Sequence, residues 1–185
     1  TITIPDNSHL FRHHTQIITN QIYNSIMAYE TYGKVVGVIR NISRGNSCCS
    51  FLATIQTETE TVNFVVTGET MVIDQVRLRR GMRVAAFYDT SLPAPAIYPP
   101  RYQAEVVTVL RQNQDAALNY FDATLTAEDN SLKLNLSSAT RISTVNGQPF
   151  TCHPGNQELL VYYTATTFSI PPQTTPQRIL VMCPS

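Results

Sequence analysis

The sequence is poor in charge. Charged residues make up 14% of the chain, against roughly 25% in an ordinary soluble domain. The 13 basic and 13 acidic side chains cancel, so the chain lacks the net charge that keeps copies of a protein apart. Neutrality also argues against nucleic acid as a partner, because that binding depends on cations that meet phosphates.

Long apolar runs and catalytic motifs are missing too. No run approaches the roughly 20 apolar residues of a membrane-spanning helix, so we expect no membrane span. The sequence has no G-x-S-x-G, no Gly-rich phosphate loop and no H-E-x-x-H. Its carboxylates are scattered, and no two of them pair for acid–base work. We therefore expect a protein that is not an enzyme and uses no cofactor.

Two groups of side chains have the composition of reactive sites. His9, His13 and His14 lie close together, but no acidic or Cys ligand sits beside them, so we expect no metal site. Cys152 and His153 are adjacent, as a nucleophile and its base could be. Pro154 and Gly155 follow them, with no third group to orient the histidine, so we expect a loop.

Four cysteines allow disulfide bonds: Cys48, Cys49, Cys152 and Cys183. A bridge between the adjacent pair would be strained, so bonds to another segment or another chain are favoured. The alternative is free buried thiols, since free Cys is among the most buried residue types.

A strand, a proline-bearing loop and a second strand occur twice. Residues 83–110, RVAAFYDTSLPAPAIYPPRYQAEVVTVL, return in shorter form at 159–183 as LLVYYTATTFSIPPQTTPQRILVMC. The repeat extends upstream of these stretches, where Thr140 occupies the position in the second copy that Thr70 occupies in the first. This repeat predicts an N-terminal arm at 1–28, a first β module at 29–112 and a second, shorter module at 113–185.

The apolar pattern predicts an all-β fold. The β-branched runs at 35–39 and 62–66 are typical of strands. Leu132, Leu134 and Leu136 alternate with polar residues, so we expect them all to face inward. Strands with one long connection fit two tandem, duplicated small OB-like barrel or sandwich modules. No counterpart of the strand at 48–56 is visible in the second module, which we expect to be open or completed by another segment.

The N-terminal arm begins with an alternating stretch, Thr1, Ile2, Thr3 and Ile4, that stops at a proline. It is a short strand pattern with no nearby partner. Our leading hypothesis is a structural protein whose arm adds a strand to the incomplete barrel of a neighbouring copy. Such head-to-tail exchange gives homo-oligomeric rings or filaments, and cysteines near the joints could lock them.

A binding module is the alternative. Around an OB-type barrel, a face with Arg79, Arg83, Tyr98, Arg101 and Tyr102 could hold an oligosaccharide, a peptide or single-stranded nucleic acid. The prolines of the loops are interpreted as structural stiffening, in preference to a ridge that presents tyrosines and Phe168 to a partner.

One stretch resembles a known family. TTFSIPPQTTPQRI, at 166–179, resembles the T-x-S-I-P-x-Q-x-x-P signature of uncharacterised two-module OB-like β proteins of spore-forming Gram-positive (clostridial-type) bacteria. We expect an extracellular location at a cell or spore surface, because the modules of this family are extracytoplasmic. The resemblance covers nearly everything from Tyr32 to Cys183, and it implies only the fold and the broad source. It implies no activity and no functional residue. Because the sequence opens on Thr1 and not on Met, a removed upstream segment would leave no trace. A cytoplasmic location therefore remains an alternative.

Overall fold

The computed structural model describes residues 32–184, which form β-strands joined by turns and loops. Among these residues no helix is long and apolar enough to cross a membrane. One 3₁₀ turn, Ile73–Gln75, interrupts the strands. The strands are β1 Tyr32–Arg44, β2 Phe51–Gln56, β3 Thr61–Val66, β4 Met71–Val72, β5 Arg83–Asp89, β6 Arg101–Gln103, β7 Val106–Val109, β8 Asp115–Phe121, β9 Lys133–Leu134, β10 Arg141–Thr144, β11 Gln157–Tyr163, β12 Gln173–Thr174 and β13 Arg178–Val181.

The strands form three sheets. The first has seven strands in the order β4-β7-β5-β1-β2-β3-β6, the second has four in the order β10-β13-β11-β8, and the third pairs β12 with β9. The all-β class predicted from the sequence is confirmed, although none of these sheets closes on itself.

The same pairing scheme occurs in both halves of the described chain. β1 pairs antiparallel with β5 as β8 does with β11, and β4 pairs parallel with β7 as β10 does with β13. The parallel pair of β3 and β6 has its match in β9 and β12. The hydroxyl of Thr70 donates to the carbonyl oxygen of Ala104 at 2.8 Å, and that of Thr140 donates to Pro176 at 2.7 Å. The two threonines therefore hold the same position relative to their proline loops.

The second half differs at the hairpin that β1 and β2 form in the first. After β8 the chain turns at once, and isolated bridges join Phe121 to Ala127 and Thr126 to Lys133. Leu134 N–H also donates to the carbonyl oxygen of Leu125 at 2.9 Å. Residues 125–127 thus lie between β8 and β9, where β2 lies between β1 and β3. Among the described residues, the second half therefore lacks a full counterpart of β2, as predicted, and its sheets do not close; a shortened hairpin lies in that position.

Three buried apolar clusters hold the sheets together. One lies in the first half and one in the second, and the third joins Ala85 and Phe87 to Leu118 and Leu160 across residue 112. The two halves therefore share a core. Leu132 and Leu134 are buried as predicted, but Leu136 is exposed because β9 ends at Leu134.

The N-terminal arm lies outside the described residues. This holds for Thr1, Ile2, Thr3 and Ile4 and for His9, His13 and His14. The predictions made for these residues remain predictions.

Candidate assembly surfaces

β1 continues past the end of its partner β5. Their pairing stops at Val38, after which Ile39 N–H donates to the carbonyl oxygen of Met82 at 2.9 Å. The register against β2 shifts between Ile39 and Asn41, which marks a β-bulge, and bulges bend a strand away from its neighbour. From Asn41 to Arg44, β1 pairs only with β2 among residues 32–184. Its other edge therefore offers N–H and C=O groups to a further strand.

A groove of about 730 Å³ lies beside the loop end of the hairpin that β1 forms with β2. One side is formed by the hairpin and β3, and the other by the segment that precedes β5. Six apolar side chains line what we call the hairpin groove: Ile42, Phe51, Val66, Val72, Val76 and Leu78. Such a lining beside an unpaired edge suits an extended segment whose apolar side chains alternate with polar ones.

Arg77, Arg79 and Arg83 are close in sequence but do not form one face. Arg77 and Arg79 line the hairpin groove and are exposed. Arg83 lies elsewhere, since its guanidinium donates to the carbonyl oxygens of Arg111, at 3.1 Å, and of Gln114. Those carbonyls belong to the turn between β7 and β8, so Arg83 braces the connection between the two halves.

A second groove, of about 610 Å³, carries stacked tyrosines. The rings of Tyr88 and Tyr102 lie 3.9 Å apart with an angle of 9° between their planes, and Phe64 packs against both. A Cβ atom on Gly33 would lie 2.3 Å from Cζ of Tyr88, so only glycine leaves room for this ring. The apolar lining of what we call the tyrosine groove is completed by Val65, Leu92, Pro93 and Pro95.

The predicted binding face is therefore divided. Arg101 and Tyr102 line the tyrosine groove together with Tyr88, and Tyr98 lies on the adjacent loop, 83% exposed. Arg79 belongs to the hairpin groove and Arg83 to the central turn. A single face with all five residues is wrong, because β5 places Arg83 at the end of the strand opposite to Tyr88.

All four cysteines are exposed, and none is bonded to another. The prediction of buried thiols is wrong, and no disulfide joins the cysteines within the chain. Cys48 and Cys49 lie in the loop that joins β1 to β2, where Nη2 of Arg44 donates a hydrogen bond to Sγ of Cys48 at 3.0 Å. The adjacent pair is thus presented at the tip of the projecting hairpin.

Cys152 and His153, the adjacent pair that could act as nucleophile and base, lie in the loop between β10 and β11. Nδ1 of His153 accepts a hydrogen bond from the N–H of Gly155 at 3.0 Å, so the ring braces its own turn. Within residues 32–184, no group of three or more His, Cys, Asp or Glu side chains is placed to hold a metal ion.

Two carboxyl groups have strongly different surroundings. Glu158 is 6% exposed, and burial raises the pKa of its carboxyl to about 7. Asp74 makes two hydrogen bonds of 2.8 Å to the guanidinium of Arg178, and this contact lowers the pKa of the Asp74 carboxyl. Neither carboxyl group lines the hairpin groove or the tyrosine groove.

Two of these features, the strand at 41–44 and the stacked Tyr88, were not evident from the sequence. Residues 41–44 include Asn41 and Ser43, which are typical of turns, and the only signal for a strand is Ile42 between polar residues. Tyr88 lies inside the repeated stretch at 83–110 without a local signal of its own, although Gly33 on the neighbouring strand permits its position. No protein-family model matches the chain, and no curated protein matches it.

Proposed function

We propose that the chain is a non-enzymatic structural subunit that self-assembles on a cell or spore surface, as part of a filament, an appendage or a coat. The observation that carries this proposal is the unpaired edge of β1 at 41–44 beside the hairpin groove. The N-terminal arm of a neighbouring copy adds a strand there. Backbone hydrogen bonds supply affinity, and alternate side chains enter the groove to supply specificity.

The start of the arm has the pattern that this surface needs. Ile2 and Ile4 flank Thr3, so both isoleucines fall on one face of a strand. In the second half, the position first expected to receive the arm is taken by residues 125–127. The acceptor is therefore assigned to the first half.

The contact is heterologous, because donor and acceptor are different surfaces of the same chain. Heterologous contacts produce rings when the rotation closes and filaments when it does not. About 27 residues lie between the alternating stretch and β1, and at about 3.3 Å per residue they can also reach the edge of their own chain. The oligomeric state therefore decides between assembly and self-capping.

We also propose that the two halves are duplicated, OB-like modules. The matched pairing schemes and the equivalent hydrogen bonds of Thr70 and Thr140 support duplication. The resemblance of residues 166–179 to modules of spore-forming bacteria supports the surface location. The exposed cysteines could form disulfide bonds between copies, because the chain offers them no partner of its own.

Arm deletion tests the proposal. We expect the full chain to form oligomers that grow with concentration by light scattering, and a chain without Thr1–Asn7 to stay monomeric. The replacement of Ile2 and Ile4 by serine should act in the same way, as should Ile42→Asp in the acceptor groove. A Glu128→Gln variant, changed at an exposed site away from both grooves, is the control. An arm-deleted chain with the oligomeric state of the full chain would refute the proposal.

One observation favours a second function, the binding of an oligosaccharide, a peptide or a single strand of nucleic acid. The tyrosine groove combines a ring surface with Arg101, as sites for such ligands do. Because Tyr88 and Tyr102 stack on each other, only their outer faces are free for a ligand. This alternative is favoured if the chain is a monomer that binds one of these ligands and if Arg101→Ala abolishes that binding.

A further inference from the structure

Exposed apolar side chains concentrate on the two proline loops. The first loop joins β5 to β6, and the second joins β11 to β12. Of the eight large hydrophobic side chains exposed among residues 32–184, five lie on these loops. They are Leu92, Ile97, Tyr98, Phe168 and Ile170. Clustered exposed apolar groups mark contact surfaces, whereas single ones are ordinary.

The second loop holds two of these side chains on a braced backbone. Phe168 and Ile170 are essentially fully exposed. Between them, the hydroxyl of Ser169 shares a hydrogen bond of 2.5 Å with that of Thr167. Thr167 also exchanges two hydrogen bonds with Gln173, one from each backbone N–H, at 2.8 and 2.9 Å. A tip held in this way loses little further freedom when it binds.

The tyrosine groove is a matching receptor. Its volume of about 610 Å³ lies in the range of pockets that hold sizeable ligands. Its walls combine tyrosine rings with Leu92 and two prolines of the first loop. The tip that carries Phe168 and Ile170 is a compact loop closed between Thr167 and Gln173, so it presents two apolar side chains to such a lining.

We propose that the tip of the second proline loop, at Phe168–Ile170, enters the tyrosine groove of another copy of this chain. The inference rests on the proposed self-assembly and adds a second contact between neighbours. Residues 164–177 contain no charged side chain, so the tip brings no charge into the groove, whose own charged side chains are Asp89 and Arg101. The chain has no net charge, so two copies do not repel each other.

The size of the contact defines its role. An aromatic side chain buries about 150–250 Å², whereas a stable interface needs about 800 Å² from each partner. The tip alone is therefore too small to hold two copies together. It acts with the arm, so its loss should weaken assembly without abolishing it.

Photo-crosslinking tests the contact in the full chain. Phe168 is replaced by a benzoylphenylalanine, and labelled and unlabelled copies are mixed before irradiation. We expect crosslinks between labelled and unlabelled chains that map by mass spectrometry to residues 88–103. Leu92→Asp, at the rim of the groove, should remove them. Oligomers that form without crosslinks to residues 88–103 would overturn the inference and leave the arm intact as the connector.

Assembly strength gives an independent readout. Phe168→Ala should raise the concentration needed for half-assembly roughly tenfold, as the loss of an interface anchor does. Thr166→Ala, on an exposed residue of the same loop, is the matched control. An unchanged concentration for Phe168→Ala would contradict the inference. A full chain that stays monomeric at every concentration would overturn the assembly proposal, and this contact with it.

Discussion

Replacement of Glu158 by glutamine tests the packing of the second half. Glu158 lies in β11 opposite Tyr120 of β8 and is 6% exposed. Neither of the two ion pairs found among residues 32–184 includes it. Burial without a cation disfavours the charged form, and it raises the pKa of this carboxyl from 4.5 to about 7.

The sign of the effect follows from the two pKa values. The folded state binds the proton more tightly than the unfolded state, so stability falls as the pH rises from 4.5 to about 7. A shift of this size at 1.36 kcal/mol per unit costs about 3 kcal/mol once the group is ionised in both states. Glutamine cannot ionise and avoids this cost. Relative to the wild type, Glu158→Gln should gain roughly 3 kcal/mol of stability between about pH 4 and about pH 9.

Urea unfolding at a series of pH values measures this gain. The difference between the free energies of unfolding of variant and wild type should grow steadily with pH, while the urea dependence m stays constant. Glu128→Gln, at an exposed glutamate, should show no such growth. If the Glu158→Gln difference is the same at low and high pH, the carboxyl is not buried in the way described.

Two further substitutions test single contacts. Asp74→Asn breaks the pair with Arg178 but keeps a residue that tolerates the positive φ of 60° at this position. Because both partners are partly exposed, the loss should be less than about 1 kcal/mol. Since the pKa of Asp74 is lowered, the stabilisation by this ion pair is present above pH 3.8 and should vanish at lower pH and in high salt. If urea unfolding shows the same loss of stability at every pH and salt concentration, the ion pair is contradicted. Gly33→Ala forces its Cβ against Tyr88 and should cost about 1–3 kcal/mol, with an altered near-UV circular dichroism of the tyrosines. Gly68→Ala, which meets no atom within 4 Å, should do neither, and equal behaviour of the two variants would refute the packing of Tyr88.

The sequence predicted the elements whose pattern is local. The β-branched run at 62–66 lies in β3, and Leu132 and Leu134 are buried as their alternation indicated. The match of Thr140 to Thr70 also has a structural counterpart, since both hydroxyls donate to a carbonyl group just after the proline loop. The strand and the two leucines follow from their neighbours in sequence, whereas the threonine contacts span 34 and 36 residues and were visible only through the repeat.

The surfaces depend on residues that are distant in sequence. Asn41–Arg44 contains turn-forming residues, yet it pairs with Phe51–Thr54, and this cross-strand pairing overrides the local preference. Arg83 has its carbonyl partners 28 and 31 residues away, so a motif search groups it with the other arginines instead. Leu136 follows the alternation, but its strand ends two residues earlier. No local pattern contains this information.

Electron microscopy of negatively stained protein tests the central claim most directly. The full chain and the chain without Thr1–Asn7 are compared at the same concentration. Self-assembly through the arm predicts rings or filaments from the full chain and single particles from the truncated one. Single particles from both chains, or the same filaments from both, would contradict it.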